Sequence, residues 1–565
     1  MPLRSVLIAL VSLVATGLAS ARESNVRLPD IGSSAAAIMS PQEARRYGAS
    51  MLHEMRSLNM VLDDPLLGEY INTLGYRLVA HSDKPDTQYT FFVVRDSGIN
   101  AFAAPGGYIG TNAGLITTAE NEDEVAAVLA HEIAHISQNH LFRAFEDSKK
   151  ASLPIALAMI GAMIAASGAS GDGAEAALMT GTSLIQQRQI NFTRKDEIEA
   201  DRVGIQTLVR SHFDPQAMAG FFARMERTLR GGGGDGKVPD LLRTHPVTTD
   251  RISDAKARAE GMEKLVETDV DLPTFNGSTN LAYFRDKKED DFGPSRKPPA
   301  PASASPPRGE TRSLMFLLMR ERARVLASDQ PTATQTYYAS YLKNEPSFDT
   351  PPNRYGHALA LIRTGQPQQA REILAKLADG APSNLPYQIA LAQAEAQSGR
   401  RNDALTRYEK LVSNSPGSNA IALSFAQTLI EDGQVSSARR AQELLRPILA
   451  TEIDDPEPYR VFARASDLAG DQIRAAEAYA DVALLNGRLE DALNQLKALT
   501  KRSDLDYYQR ARIDARIAEV TPIVLELRHR GIRPADQGRL APGFSCQDSN
   551  SCASMSSVRN NSALK

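Results

Sequence analysis

Residues 121–137 read Asn121-Glu-Asp-Glu-Val-Ala-Ala-Val-Leu-Ala-His131-Glu132-Ile-Ala-His135-Ile-Ser137. Apolar Val125, Val128, Leu129, Ile133 and Ile136 recur at helical spacing. Asn121 is a helix-capping residue with Glu124 three positions on, which is the pattern of a capped helix start. The stretch is therefore expected to be a buried helix. His131 and His135 lie one turn apart on one face, so both imidazoles can aim at a single point. Glu132 is turned away by about a quarter of a revolution at ~3.6 residues per turn. From there it can reach a water at that point without taking a coordination position. Two neutral imidazoles suit Zn²⁺, and the adjacent carboxylate suits a general base for hydrolysis of a peptide bond. An accidental H-E-x-x-H is expected in about one chain of this length per hundred, so context has to decide.

A zinc peptidase needs a third protein ligand. The candidate stretch is Arg194-Lys-Asp-Glu197-Ile-Glu199-Ala-Asp201-Arg202. A charge run of this kind is ordinarily a solvated helix face, but the motif upstream reverses that reading. Glu197 and Asp201 share a face, so Glu197 can coordinate while Asp201 orients a ligand imidazole. Glu199 competes with Glu197 for the ligand role, and spacing does not separate them. A further candidate is Thr244-His245-Pro246, with Arg251 six positions after the histidine. A residue before proline is held in extended backbone. His245 can donate to an oxyanion or ligate zinc in a resting state, and Arg251 can organise the carboxylates. Gly231–Gly234 precede His245 and suit a loop that carries it onto or off the metal.

These motifs, in this order, together with Asn100-Ala-Phe-Ala-Ala-Pro-Gly-Gly107, resemble the gluzincin peptidases, the family of HtpX, Oma and the CAAX-prenyl proteases. The resemblance covers roughly residues 40–260. It implies one Zn²⁺ per chain held by His131, His135 and Glu197, with Glu132 catalytic, Asp201 behind the ligands, and His245 and Arg251 lining the site. The periplasmic members that carry a tetratricopeptide domain after the peptidase match best. They imply that unfolded or misassembled outer-membrane proteins and their assembly machinery are the partners, and that His245 inhibits the resting enzyme.

The rest of the chain bounds this reading. At 565 residues more than one domain is expected. A net charge of −4, with no basic patch interleaved with aromatics, points away from nucleic acid. Residues 1–21 have Arg4, an apolar core from Val6 to Ala15, and Ala19-Ser-Ala21, which together form a secretory signal. The expected location is the periplasm. Cys546 and Cys552 fall in the polar tail, where an exported protein can pair them. Residues 41–80 look helical. Tyr89–Val94 looks like a strand, and Tyr108–Gly110 like its return after a Pro105-Gly-Gly turn. Such a sheet edge can take an extended substrate as an added strand. Residues 153–166 are strongly apolar but too short to span a bilayer. A buried helix is the expectation, with peripheral membrane contact as the alternative.

Residues 291–310 include Lys297-Pro-Pro-Ala-Pro-Ala-Ser-Ala-Ser-Pro-Pro307, an extended linker. Beyond it Gly365, Gly399 and Gly433 are 34 residues apart, and Ala370, Ala404 and Ala438 track them. That period marks helix-turn-helix tetratricopeptide units, which stack into a peptide- or protein-binding groove. Gly470 with Ala475, and Gly487 with Ala492, extend the series.

The expected fold class is mainly α. A zincin-type α+β metallopeptidase domain with a small β-sheet is followed by an α-solenoid of tetratricopeptide repeats. The expected division is signal 1–21, peptidase 22–290, linker 291–310, repeats 311–530 and a disordered tail 531–565. The expected function is an exported zinc endopeptidase acting on outer-membrane proteins. The rival from another class is a periplasmic chaperone working through its repeats, with a silent or structural metal. A structural zinc site is normally closed by four ligands rich in Cys. None lies near the motif, which favours the catalytic reading.

Overall fold

A computed structural model describes residues 39–147, 194–230, 241–242, 245–262, 310–450 and 455–529. The signal at 1–21, the apolar segment 153–166, Gly231–Gly234, Thr244, all of the linker but Glu310, and Cys546 and Cys552 lie outside the described residues.

Helix α1 (Pro41–Ser57) starts at Ser40, whose hydroxyl accepts from the Glu43 amide while Glu43 reaches back to the Ser40 amide. Helix α2 (Pro65–Val79) starts at Asp64, which accepts from the Leu67 amide. Acceptor side chains at these positions satisfy amides that have no partner in the first turn.

Strands β1 (Thr90–Val94), β2 (Ala101–Ala104) and β3 (Tyr108–Asn112) form one sheet in the order β1-β3-β2. The expected return strand 108–110 is present, but it runs parallel to β1 and antiparallel to β2. The difference lies in Ala101–Ala104. Its Ala-Phe-Ala-Ala sequence lacks the β-branched residues that mark strands, yet it pairs with β3 across the Pro105–Gly107 turn. Gly106 and Gly107 sit there at φ 79° and 83°, a region open chiefly to glycine.

Helices α3 (Ala113–Thr118) and α4 (Glu122–Ser137) follow. Helix α4 carries both histidines of the motif and is buried along nearly its whole length. Asn121 caps it by accepting from the Glu124 amide at 3.0 Å. Glu124 reaches back to the Glu120 amide rather than to that of Asn121, and also binds Arg224. Beyond α4 the chain turns at Asn139, at φ 55°, into α5 (His140–Asp147). Helices α6 (Arg194–Arg210), α7 (Gln216–Arg230) and α8 (Thr249–Met262) complete the layer against α4. A side chain on Gly204 of α6 would press on the Met218 methyl at 3.0 Å and on the His131 backbone nitrogen at 3.2 Å. Glycine there lets α6 lie close against α4, despite costing a helix about 0.5–1 kcal/mol relative to alanine.

From 310 onward the chain is a series of helical hairpins: α9 (Glu310–Ala327), α10 (Pro331–Asn344), α11 (Pro351–Arg363), α12 (Pro367–Gly380), α13 (Leu385–Gln397), α14 (Arg401–Asn414), α15 (Asn419–Glu431), α16 (Val435–Leu449), α17 (Pro456–Leu468), α18 (Gln472–Leu485), α19 (Leu489–Leu499) and α20 (Tyr507–His529). Helices α11, α13 and α15 begin 34 residues apart, at 351, 385 and 419. The glycines of the period sit in the hairpin turns at positive φ, Gly365 at 73°, Gly399 at 79° and Gly433 at 69°. The chain is thus mostly helical, a small-sheet peptidase-like layer followed by helical repeats. Among the described residues no helix is long and apolar enough to cross a membrane.

The repeats pack on the first layer. Arg322 of α9 grips Asp64 through two 2.6 Å hydrogen bonds and donates to the Tyr355 hydroxyl at 2.9 Å. Glu69 of α2 accepts from the Ala420 amide at the start of α15 at 2.8 Å. Arg95 donates to the Leu326 carbonyl at 2.7 Å. One buried apolar cluster runs from Leu62 through α4 to Phe316, Leu318 and Met319 and on to Ala478.

Candidate metal centre

His131, His135, Glu197 and His245 are all buried, and each presents one donor atom within 4.8 Å of the others. The two histidines come from successive turns of α4, with Nε2 atoms 3.0 Å apart. Glu197 sits in the first turn of α6 and approaches them at 3.5 Å (His131 Nε2) and 3.6 Å (His135 Nε2). His245 precedes α8, and its amide donates to the Leu241 carbonyl. Its Nδ1 is 2.9 Å from Glu197 Oε1 and 3.5 Å from His131 Nε2.

These separations test the site for a metal. Zinc bonds of about 2.0–2.1 Å in a tetrahedron place neighbouring donors about 3.3–3.4 Å apart. The five donor pairs given above lie between 2.9 and 3.6 Å, and all four donors fall within 4.8 Å of one another. The charges agree. Glu132, Glu197 and Asp201 are buried together with one guanidinium, that of Arg251. A bound dication would balance these carboxylates in place of the proton that Asp201 and Glu197 otherwise draw to His131. The donor set, nitrogen and oxygen without sulfur, fits Zn²⁺.

The surroundings hold the donors in place. Asp201 Oδ1 is 3.0 Å from His131 Nδ1. Arg251 clamps Asp201 with Nε at 2.7 Å and Nη2 at 2.8 Å, donates to the Pro246 carbonyl, and pairs with Glu197 Oε2 at 2.8 Å. Burial opposes ionisation of Glu197, yet His245 and His131 keep its carboxyl well below the usual range. Burial likewise opposes ionisation of Asp201, and hydrogen bonds from His131 and Arg251 hold it low. Burial would lower His131, but the same two carboxylates raise it to about 10. His135 is pushed well below its ordinary value by burial and by the neighbouring imidazoles.

Glu132 differs. Burial pushes its carboxyl up, and neither oxygen has a hydrogen-bond partner of good geometry among the described residues. Its Oε1 is 3.6 Å from His245 Nε2, and the Ala103 backbone of β2 faces it. A desolvated carboxyl with a raised pKa is a better proton acceptor near neutral pH.

The structure thus brings His131, Glu132, His135, Glu197, Asp201, His245 and Arg251 to one place. Glu199 is turned away. It meets His140 Nε2 at 3.2 Å and Arg143 Nη2 at 2.6 Å. Sequence reasoning missed His140 and Arg143. The one local signal was a third histidine five positions after His135. His140, Asp196 and Glu199 also cluster, but the Arg143 guanidinium already sits among them, 2.8 Å from Asp196.

Residues 65–259 match the model of peptidase family M48. The chain is 29% identical over 494 residues to the beta-barrel assembly-enhancing protease of Escherichia coli (strain K12), covering 87% of this chain and 91% of that protein. It is 29% identical over 504 residues to the putative beta-barrel assembly-enhancing protease of Vibrio cholerae, covering 89% and 94%. Over 184 residues it is 33% identical to the mitochondrial metalloendopeptidase OMA1 of Schizosaccharomyces pombe, covering 32% of this chain and 50% of that protein.

Proposed function

We propose, from the match of residues 65–259 to peptidase family M48 and the similarity to metalloendopeptidases, that the chain is an exported zinc endopeptidase that removes misfolded or misassembled outer-membrane β-barrel proteins. The observation that carries the reading is Glu132, buried and raised in pKa, beside four converging donors. Similarity to beta-barrel assembly-enhancing proteases over most of both chains supports the substrate class. The secretory pattern of residues 1–21 supports a periplasmic location.

His131, His135 and Glu197 would hold the zinc. When bound, zinc supplies a Lewis acid that polarises a peptide carbonyl and makes water a better nucleophile near neutral pH. Glu132 takes the proton of the attacking water and delivers it to the leaving amine. Asp201 accepts from His131 Nδ1–H and so leaves Nε2 as the ligating atom. Arg251 neutralises Asp201 and Glu197 and keeps both in place. Substrate lies extended along β2, which stands at the edge of the sheet beside α4. Backbone pairing there presents a scissile bond to Glu132 with little demand on sequence. His245, with Nδ1 2.9 Å from Glu197 Oε1 and 3.5 Å from His131 Nε2, would block the side from which substrate or water enters, and would so gate the enzyme. The helical repeats, read as tetratricopeptide units, dock clients or the assembly machinery.

The test is Glu132→Gln in the full chain, assayed for cleavage of an unfolded β-barrel precursor alongside zinc content. Cleavage is expected to fall by about 10²–10⁴-fold with zinc retained. Undiminished cleavage by a zinc-loaded variant would refute the mechanism.

A further inference from the structure

Behind His135 lies an imidazole that the mechanism above leaves unused. His140 opens α5 and is 0% exposed. The left-handed turn at Asn139, φ 55°, swings it back against the helix it has just left. Its Nδ1 is then 2.8 Å from His135 Nδ1, and its Nε2 is 3.2 Å from Glu199 Oε2. Glu199 is held in turn by Arg143 at 2.6 Å, and Arg143 also binds Asp196 at 2.8 Å.

Hydrogen-bond logic fixes the protons along this chain. An ionised carboxylate only accepts, so the proton facing Glu199 is on His140 Nε2. Nδ1 of neutral His140 is then a lone pair. Two ring nitrogens 2.8 Å apart need one proton between them, and it must come from His135 Nδ1. That leaves His135 Nε2 with its lone pair facing His131 and Glu197. The other motif histidine is anchored in the same way, through Asp201 and Arg251. Each ligand imidazole thus has its own acceptor backed by an arginine, an aspartate for His131 and a histidine for His135.

We propose that His140 is a positioning residue for zinc binding, which fixes the tautomer and ring plane of His135 through the Glu199–Arg143 pair. The proposal rests on the reading of His135 as a zinc ligand. It also assigns Glu199, which sequence spacing left as a rival ligand, to a support role. The chain ends at the surface, where the side chains of Glu199 and Arg143 are 30% and 41% exposed.

The experiment measures zinc affinity of the full-length protein by competition with a chromophoric chelator, with circular dichroism and the apo-protein melting temperature as folding controls. The variants are His140→Leu, His140→Asn, Glu199→Leu and His135→Ala. Losing an outer partner of a ligand histidine typically weakens metal binding 10–100-fold, and that loss is expected for His140→Leu. His140→Asn keeps an acceptor oxygen where Nδ1 stood and is expected to recover most of the affinity. Glu199→Leu, which leaves His140 itself in place, is expected to cost severalfold and keeps the proposal testable if His140→Leu does not fold. Wild-type affinity in a folded His140→Leu protein would overturn the proposal. So would equal losses in the Leu and Asn variants, because a packing role does not distinguish an acceptor from a methyl group. If His135→Ala binds zinc as the wild type does, the ligand reading itself fails. If it loses zinc while His140→Leu does not, only the positioning role fails.

Discussion

At the scale of single residues the centre is decided by which atoms have partners. Asp201 is clamped by Arg251 and Glu197 Oε1 lies 2.9 Å from His245 Nδ1, whereas neither oxygen of Glu132 has a well-placed partner. That difference is what the proposed role of Glu132 as proton acceptor rests on. His245 stands between Glu197 and Glu132, at 2.9 Å from the first and 3.6 Å from the second. Cutting it back to alanine removes a donor and opens that corner. With saturating zinc, His245→Ala is expected to raise cleavage of an unfolded protein at least severalfold while lowering zinc affinity. A drop in cleavage at full zinc occupancy would instead assign His245 to oxyanion stabilisation. Much of this centre was legible in the sequence, because His131, Glu132 and His135 are placed by one helix turn and need nothing else. The choice between Glu197 and Glu199 was not legible from spacing and rested on the family resemblance. Both lie on α6, and only the helix's rotation against α4 decides which one faces the histidines.

At the scale of elements, the site depends on how closely α6 lies against α4. Glu197 and Asp201 reach His131 from α6 because Gly204, one turn further on, leaves the contact free of a side chain. Gly204→Val would place methyl groups against the His131 backbone and the Met218 methyl. Overpacking of this kind costs about 1–3 kcal/mol. The expected outcome is a lower melting temperature together with weaker zinc binding, since separating the helices draws Glu197 and Asp201 from His131. A stability loss with unchanged zinc affinity would show that the carboxylates are positioned independently of that contact. The sheet shows the limit of local reading. Tyr89–Val94 is recognisable from its β-branched and aromatic content, but Ala101–Ala104 becomes a strand through pairing with β3. The Phe92 and Phe102 rings fill the space left by Gly110, a contact no window of neighbouring residues reveals.

At the scale of the whole molecule, the repeats and the peptidase layer share one core and several polar ties. Arg322 and Asp64 are the most buried of these. Removing one partner of a buried pair costs about 3–5 kcal/mol. Arg322→Ala is expected to destabilise by that amount and to let the repeats and the first layer unfold in separate transitions, read by calorimetry against the wild type. Asp64→Asn keeps the cap of α2 and so isolates the ionic part. A second tie is sensitive to pH. Burial pushes Glu69 up to about 7 from 4.5, against the hydrogen bond from the Ala420 amide. A carboxyl raised on folding adds stability that is full below 4.5 and is lost as pH rises through about 7. Between pH 5 and 8 the wild type should therefore lose more stability than Glu69→Gln. Parallel pH profiles of melting temperature would remove Glu69 from this role.

What the sequence determined by itself is whatever lies within a few residues along the chain. The paired histidines and their glutamate, the caps at Asn121 and Asp64, and the 34-residue hairpins with glycine in the turn are all set by helix periodicity and by backbone stereochemistry. Tertiary structure alone decided the long-range pairings. It turned Glu197 toward the paired histidines and Glu199 toward His140, made β3 parallel to β1, returned His140 to His135, and joined Arg322 to Asp64 across 258 positions. The physical reason is that these pairings follow from the relative rotation and spacing of packed helices. Those are settled by the filling of a common core and by the burial of charges that need partners.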